Sequence, residues 1–457
     1  MAKERDHHKT AAVIGGGWAG CSAAVELARA GYKVTLFEAA RTLGGRARVV
    51  EAHGKQLDNG QHILLGAYAD TLRLLKLVGI DPARALLNLP LQMRYPPGGN
   101  GMDFVAPRLP APLHLAVALL RAKGLDRADK MSLARFSTTA RWMDWRLYTD
   151  CSVSELLDRF DQTERLIALM WRPLCLAALN TPPERASAQV FLNVLRDSLG
   201  ARRAASDMLL PRTDLSALFP VAAAAYLSAR GGSVRTGAKV GAVAAHRAGW
   251  RVEATGNAVD GTWTTYVDVA VLAGGAPATA VLLGKLGQGE LASALMAFQY
   301  EPITTVYLQY PTLTALALPF YALRDAPLAG HWGQFVFDRG QLVAGQAGLL
   351  AVVISAAAEA GALERNALGA AVAGQLAAVF GRPELAKPEW LQVITEKRAT
   401  FSCTPQLQRP ANDIGMTGLA IAGDYTAGDY PATLESAVRS GAAAARLVQR
   451  PALTSDS

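Results

Sequence analysis

Apolar and polar positions along this chain switch between a two-residue and a near-four-residue period, and the switch points mark its elements. Residues 11–14 form a short, wholly apolar run, the pattern of a strand buried on both faces. The spacing then predicts a helix over 18–30 stopped at Gly31, and a second strand over Lys33-Val34-Thr35-Leu36-Phe37 ended by Glu38. Residues 65–225 read as mostly helical, rich in Leu, Ala and Arg, with breaks at Pro90, Pro96-Pro97, 107–112 and Pro182-Pro183. Strand patterns return at 231–236, 250–253 and 267–272, the last running into Ala273-Gly274-Gly275-Ala276-Pro277 and a helix. Further strands are predicted at 302–308, 334–337 and 349–355, then a helix over 361–380. Residues 419–422 are a last apolar strand, followed by a helix over 434–447 with Pro431 expected in its first turn.

Two of these switch points belong together. At the first stands Gly15-Gly16-Gly17-Trp18-Ala19-Gly20, a G-x-G-x-x-G match set between a strand and a helix. Gly15 permits the tight turn, Gly17 lets backbone approach a pyrophosphate, and Gly20 allows close helix–strand packing. Amides at the start of the helix, around Trp18 and Ala19, favour an anion. Glu38, followed by Ala39, lies 23 residues after Gly15, where an acid accepts from a ribose 2′-OH. Gly44-Gly45-Arg46 can add amides and a guanidinium to the same pyrophosphate.

At the far end, Gly423-Asp424 closes the last strand, and the aspartate is placed to accept from ribityl hydroxyls. Pro431-Ala432-Thr433 opens a helix whose positive end would face the N1/C2=O edge of a flavin. Together the two segments point to FAD rather than a diffusible nicotinamide. Val240 is expected to meet the adenine edge through its backbone, and Gly274 to border the dinucleotide, because 226–290 reads as a return to the cofactor domain.

A chain of 457 residues is too long for one simple core. The expected class is α/β: a Rossmann-type FAD-binding domain interwoven with an α+β substrate domain that carries a mixed sheet and a helical subdomain. Segments 10–65, 226–290 and 401–450 are assigned to the FAD domain. Residues 66–225 form the mainly helical, substrate- or membrane-facing region, and 291–400 the substrate-domain sheet and helices.

Composition narrows the picture. Hydrophobic residues make up 51% and charged residues 18%, which suits an enzyme with a large apolar interior or cavity. No window offers some 18 uninterrupted apolar residues, so no membrane span is expected. Residues 1–9 are polar with no apolar core of a secretion signal. Cys21, Cys151, Cys175 and Cys403 lack metal or redox spacing, so no metal site is expected and the four read as reduced thiols of a cytoplasmic protein. The net charge of +8 is uneven: 108–146 holds eight Lys/Arg against Asp126, Asp129 and Asp144, interleaved with Leu113, Leu120, Met131, Trp142 and Trp145. Two readings stay open there, an interfacial membrane segment and a solvated helix pair. Nucleic acid is excluded as a partner, since no binding motif occurs and aromatics are only 7%.

The fingerprint, Gly44-Gly45-Arg46 and the tail from Gly423-Asp424 to Glu435-Ser436-Ala437 resemble the flavin amine oxidase and phytoene desaturase superfamily. Three internal stretches narrow the likeness: 58–68 around Gly60-Gln61-His62, Trp171-Arg172-Pro173 with Asn180-Thr181-Pro182, and Tyr425 to Thr433. These are similar to the squalene-associated FAD-dependent desaturases, the hydroxysqualene dehydroxylases of hopanoid synthesis, over about residues 11–448. The resemblance implies reductive loss of an allylic hydroxyl from a long isoprenoid, with hydride from reduced flavin. That chemistry requires an apolar tunnel and a proton donor for the leaving group.

His62 is the leading candidate donor, since its segment, with Gly60 and Gln61, should pass the flavin and imidazole titrates near neutrality. Tyr425, Asp429, Tyr430 and Asp58 are rivals, and each has a structural hydrogen bond as its alternative. Arg172 and Asn180 are candidates to line the substrate cavity, whereas Tyr307 and Tyr321 could equally be core. The reductant stays open between a separate protein and NAD(P)H at an unmarked site. A true isoprenoid desaturase is the main rival; a flavin amine oxidase and a non-catalytic isoprenoid carrier are weaker ones.

Overall fold

Apolar runs of three to five residues, too short to stand alone, pair side by side at the centre of the molecule. The structure, a computed structural model, describes residues 9–98, 100–256 and 261–450. The opening run 1–8 lies outside the described residues. Across one sheet the order is Ser233–Arg235, Lys33–Phe37, Thr10–Ile14, Val269–Leu272 and Leu419–Ile421, every pair parallel. Ala11, Ala12, Val13, Val271 and Ala420 are wholly buried, because helices cover both faces. Thr10–Ile14 is central, and later strands add on opposite sides of it. Reversal of strand order at that point opens a crevice beyond the carboxyl ends, where α/β sheets bind ligands.

The helix Trp18–Arg29 lies against Leu434–Val448, and Ser22 Oγ donates to Val438 O at 2.7 Å. Small residues set this distance: a Cβ on Gly441 would stand 2.1 Å from Ala19 O. The C-terminal helix differs from expectation at its start. Thr433 is its cap, accepting from Ser436 N at 3.1 Å, and Pro431 lies outside the helix. A capping hydroxyl, which satisfies an orphan amide, set the start where the proline did not.

Two antiparallel sheets complete the frame. Lys239–His246, Gly249–Thr255 and Thr262–Val267 form one. The other has the order Phe320–Ala322, Phe335–Asp338, Leu349–Ile354, Tyr300–Gln309 and Trp390–Phe401, backed by the helix Arg365–Phe380. All its pairs are antiparallel, correcting the expected mixed sheet. No helix crosses between neighbouring parallel strands here, so none of its pairs needs to be parallel.

The region expected to be mostly helical contains Leu113–Arg121, Arg127–Trp142, Val153–Arg159, Arg172–Leu179 and Ala188–Leu195. It also contains Leu86–Leu89, Gln92–Arg94, Asp103–Val105 and Met208–Pro211, strands of three or four residues that show too little of any period to be recognised. Among the described residues, no helix is long and apolar enough to cross a membrane. All four cysteines are buried, and burial pushes the Cys21 thiol up to about 12.

Candidate active site

The glycines of the fingerprint are required by space as well as by conformation. Gly15 sits at φ +111°, and a Cβ there would lie 2.5 Å from Ala273 O, with Gly274 N next to it. A Cβ on Gly45, itself at φ +61°, would come 3.2 Å from Gly17 Cα, and Gly44 N donates to Gly16 O at 2.8 Å. Two glycine turns thus face each other and form an amide-lined cradle that side chains would fill. No side chain caps the helix starting at Trp18, Ala19 and Gly20, so its first amides are left for an anion.

Glu38 is fixed at the rim of this cradle: one carboxylate oxygen accepts from Gly16 N at 2.6 Å and the other from Ala40 N at 2.7 Å. Further lone pairs remain for a ribose hydroxyl. Ala39 follows in the same turn, and Ala238 N returns a bond to Glu38 O, which leads the chain to Val240 and the bulge after it.

Arg46 and Asp424 meet each other. The Arg46 guanidinium donates to Asp424 Oδ1 at 2.7 Å and to Ala399 O at 2.6 Å. This ties the two distant segments expected to hold the cofactor to each other. Gly423 N is held by Ser440 Oγ at 2.9 Å.

His62 Nδ1 lies 2.7 Å from Gly60 O. A carbonyl only accepts, so Nδ1 carries the proton and Nε2 is bare. Burial, with Arg46 nearby, also pulls the imidazole below its ordinary range, despite opposing effects of the Gly60 bond and Asp58. Both effects favour the neutral imidazole with its proton on Nδ1. Gln61 accepts from Arg339. Beside Gly60, the buried Thr305 hydroxyl has no partner and lies 3.9 Å from where a Gly60 Cβ would stand. An orphaned hydroxyl next to the cradle fits the polar ring edge of a flavin.

A cavity of about 550 Å³ adjoins these elements, within the range of small-molecule sites of roughly 300–1,000 Å³. Ile63, Leu119, Phe136, Met170, Leu195 and Phe335 represent its wall, which is overwhelmingly apolar. Tyr430, Pro431 and Thr433 border it next to the start of the C-terminal helix, and Asp197 and Arg141 are among its few polar groups.

A dinucleotide cradle at a sheet switch point, joined to an apolar cavity, is the layout of a flavin oxidoreductase acting on a substrate held beside its ring. Residues 18–449 match the model of the family described as flavin containing amine oxidoreductase. The chain belongs to that family. It is therefore an oxidoreductase of flavin type. A hydroxysqualene dehydroxylase of Rhodopseudomonas palustris is 30% identical, the match covering 96% of this chain and 98% of that one. A zeta-carotene desaturase of Synechocystis is 24% identical over 96% of each chain. A crystal structure of an oxidoreductase from Methanosarcina mazei superposes with a TM-score of 0.67 at 16% identity, covering 95% of this chain and 99% of that one. At that identity the superposition shows a shared fold.

Within this family frame the remaining candidates separate. Tyr430 alone of the four catalytic candidates borders the cavity. Tyr425 is buried with its hydroxyl on Thr279 Oγ1 at 3.1 Å. Asp429 is exposed and 3.8 Å from Arg196. Asn180 does not line the cavity: its amide donates to Thr400 Oγ1 and Glu301 O and accepts from Ala356 N, joining a helix end to the antiparallel sheet. Arg172 is drawn to Asp325 at 3.1 Å and Glu184 at 3.9 Å, also away from it. Tyr307 donates to Asp58 O and is core, as is Tyr321. Sequence reasoning missed Asp197, which sits beside Arg196 at the end of the largely apolar stretch 188–195.

Proposed function

We propose that this chain is an FAD-dependent dehydroxylase that converts hydroxysqualene to squalene. The observation that carries the reading is the apolar cavity of about 550 Å³ ending at Tyr430 and Thr433 beside the cofactor cradle. The hydroxysqualene dehydroxylase relative, which matches nearly the full length, supports it. FAD rather than a mononucleotide is supported by Glu38 and the Gly15–Gly20 turn, which only an adenosine half requires.

Gly17, Gly45 and the amides after Trp18 would hold the pyrophosphate, and Thr305 and Thr433 would face the ring. Reduced flavin held there would supply the hydride that replaces the hydroxyl on carbon, and the departing oxygen would leave as water after gaining one proton. The cavity wall excludes bulk water, which would otherwise capture an allylic cation. Tyr430 holds a proton at its hydroxyl, since burial and the Asp197 carboxylate push it up to about 12. Anaerobic, dithionite-reduced enzyme mixed with hydroxysqualene is expected to regain oxidised-flavin absorbance while forming one squalene per flavin. Flavin that stays reduced, with squalene consumed by the oxidised enzyme instead, would establish a desaturase.

We also infer that the helices Leu113–Arg121 and Arg127–Trp142 contact an anionic membrane surface. They wall the cavity on one side, and a recess of about 280 Å³ shares Pro112, Arg141 and Trp145 with it. On the other side they expose Leu113, Leu120, Met131 and Trp142, the last at 86%. Arg121, Lys123 and Arg127 are exposed among them. Basic and apolar groups on one face suit an interfacial helix, each cation near an anionic surface adding about 1 kcal/mol. Changing all three to Glu is expected to abolish cosedimentation with phosphatidylserine vesicles at low salt, and unchanged binding would refute the contact.

A further inference from the structure

Among the polar groups on the largely apolar wall of the cavity is a bonded pair. Ala188–Leu195 passes into the π-helical turn Arg196–Gly200, a local widening that recurs at functional sites, and this turn carries Asp197 to the cavity. Asp197 Oδ1 accepts from Arg196 Nε at 2.7 Å; Oδ2 accepts from Arg196 Nη2 at 3.0 Å and from the Tyr430 hydroxyl. Arg439 stacks on Tyr430, its guanidinium 4.8 Å from the ring centre.

The charge balance restricts what this pair can bind. The two-pronged bond from Arg196 neutralises the carboxylate, so an ammonium group finds no net negative charge. The acceptor capacity is not exhausted: Oδ1 takes one bond, and the phenol oxygen keeps lone pairs. Burial alone would raise the Asp197 carboxyl, yet the bonds from Arg196 and Tyr430 outweigh it and hold the group ionised. Several other polar groups on the wall are already committed, Ser137, Thr138 and Ser198 to carbonyls of their own helices, while Arg141 offers only donors. Glu435 accepts from Asp70 N, Thr71 N and Thr71 Oγ1.

We propose that Asp197 and Tyr430 form the site that recognises the hydroxyl of a long allylic alcohol, accepting its O–H while the hydrocarbon arms lie along the apolar wall. This rests on the dehydroxylase reading and deepens it. A hydrocarbon of the same length leaves the pair facing carbon, and sites built for a hydroxyl reject analogues that lack it.

The test measures binding to the oxidised enzyme by the shift of the flavin band, with hydroxysqualene and squalene as probes. Wild-type enzyme is expected to prefer the alcohol. Asp197→Asn and Tyr430→Phe should each weaken alcohol binding about tenfold, equal to about 1.4 kcal/mol, while squalene affinity stays within twofold. Flavin content reports folding, and Tyr430→Phe, which removes a single hydroxyl, carries the test if Asp197→Asn does not fold. A Tyr430→Phe enzyme that keeps the full alcohol preference overturns the proposal and leaves the dehydroxylase reading standing. Wild-type enzyme that binds neither lipid overturns both. Equal loss of alcohol and squalene affinity means a collapsed cavity and also overturns it.

Discussion

Gly20→Val is expected to yield a colourless protein. A Cβ at this position would stand 1.8 Å from Gly15 O and 3.2 Å from the Ala273 side chain. Both neighbours belong to the turn that forms the cradle, and one is backbone, so neither can give way alone. The helix Trp18–Arg29 must lift off its strand, which carries its first amides away from the phosphate position. Overpacking of this kind costs roughly 1–3 kcal/mol in stability. Displacing the amides should weaken flavin binding about 100-fold or more, equivalent to about 2.7 kcal/mol. The ratio of 450 nm to 280 nm absorbance after gel filtration measures it. Gly284→Ala is the matched control: nothing lies within 4 Å of its Cβ, and it should stay fully yellow. A yellow Gly20→Val protein would refute this account of the turn.

The same turn explains how much of the molecule was legible. Gly20 is demanded by the carbonyl of Gly15 five residues before it, and Gly15 by the positive φ of the turn itself, so the motif is local even though Ala273 and Gly45 also crowd it. The strands Thr10–Ile14, Val269–Leu272 and Leu419–Ile421 of the parallel sheet were legible as short apolar runs. What stayed hidden depends on partners remote in sequence. The bond of Arg46 to Asp424 spans 378 residues, which no local pattern shows. The surroundings of His62, burial and the Gly60 carbonyl, likewise come from the fold and not from its segment's pattern. Trp390–Phe401 escaped notice because it is an edge strand whose exposed half carries Glu396, Lys397 and Arg398, the charges that keep an edge from pairing further. Asp197 reaches the cavity through a π-helical turn, which shifts the helical period at the position where a pattern would be read.

The second large effect concerns a charge pair beneath His62. Arg339 and Asp58 have side chains 0% and 1% exposed, and Nη1 lies 3.1 Å from Oδ2. Arg339 also donates to Gln61 and, through Nε at 2.8 Å, to Gln346; its Nη2 has no partner. Asp58 accepts from Leu215 N at 2.8 Å, and its carbonyl accepts from Tyr307. The pair therefore joins the segment bearing Gly60, Gln61 and His62 to the antiparallel sheet. Arg339→Met leaves a buried carboxylate with one backbone donor, and such a break costs about 3–5 kcal/mol. Burial already raises the Asp58 carboxyl, against the pull of Arg339, and removing that pull raises it further. The folded variant then holds a proton at pH values where the unfolded chain, near 3.9, has lost it. Its stability is greatest in acid and falls as pH rises through the folded value. The deficit against wild type should accordingly be smaller at pH 5 than at pH 8 in urea unfolding. Asp58→Asn combined with Arg339→Met removes both charges while keeping an acceptor for Leu215 N, so it should recover most of the loss. A single variant within about 1 kcal/mol of wild type at pH 8 would mean that the pair contributes no more than an exposed one.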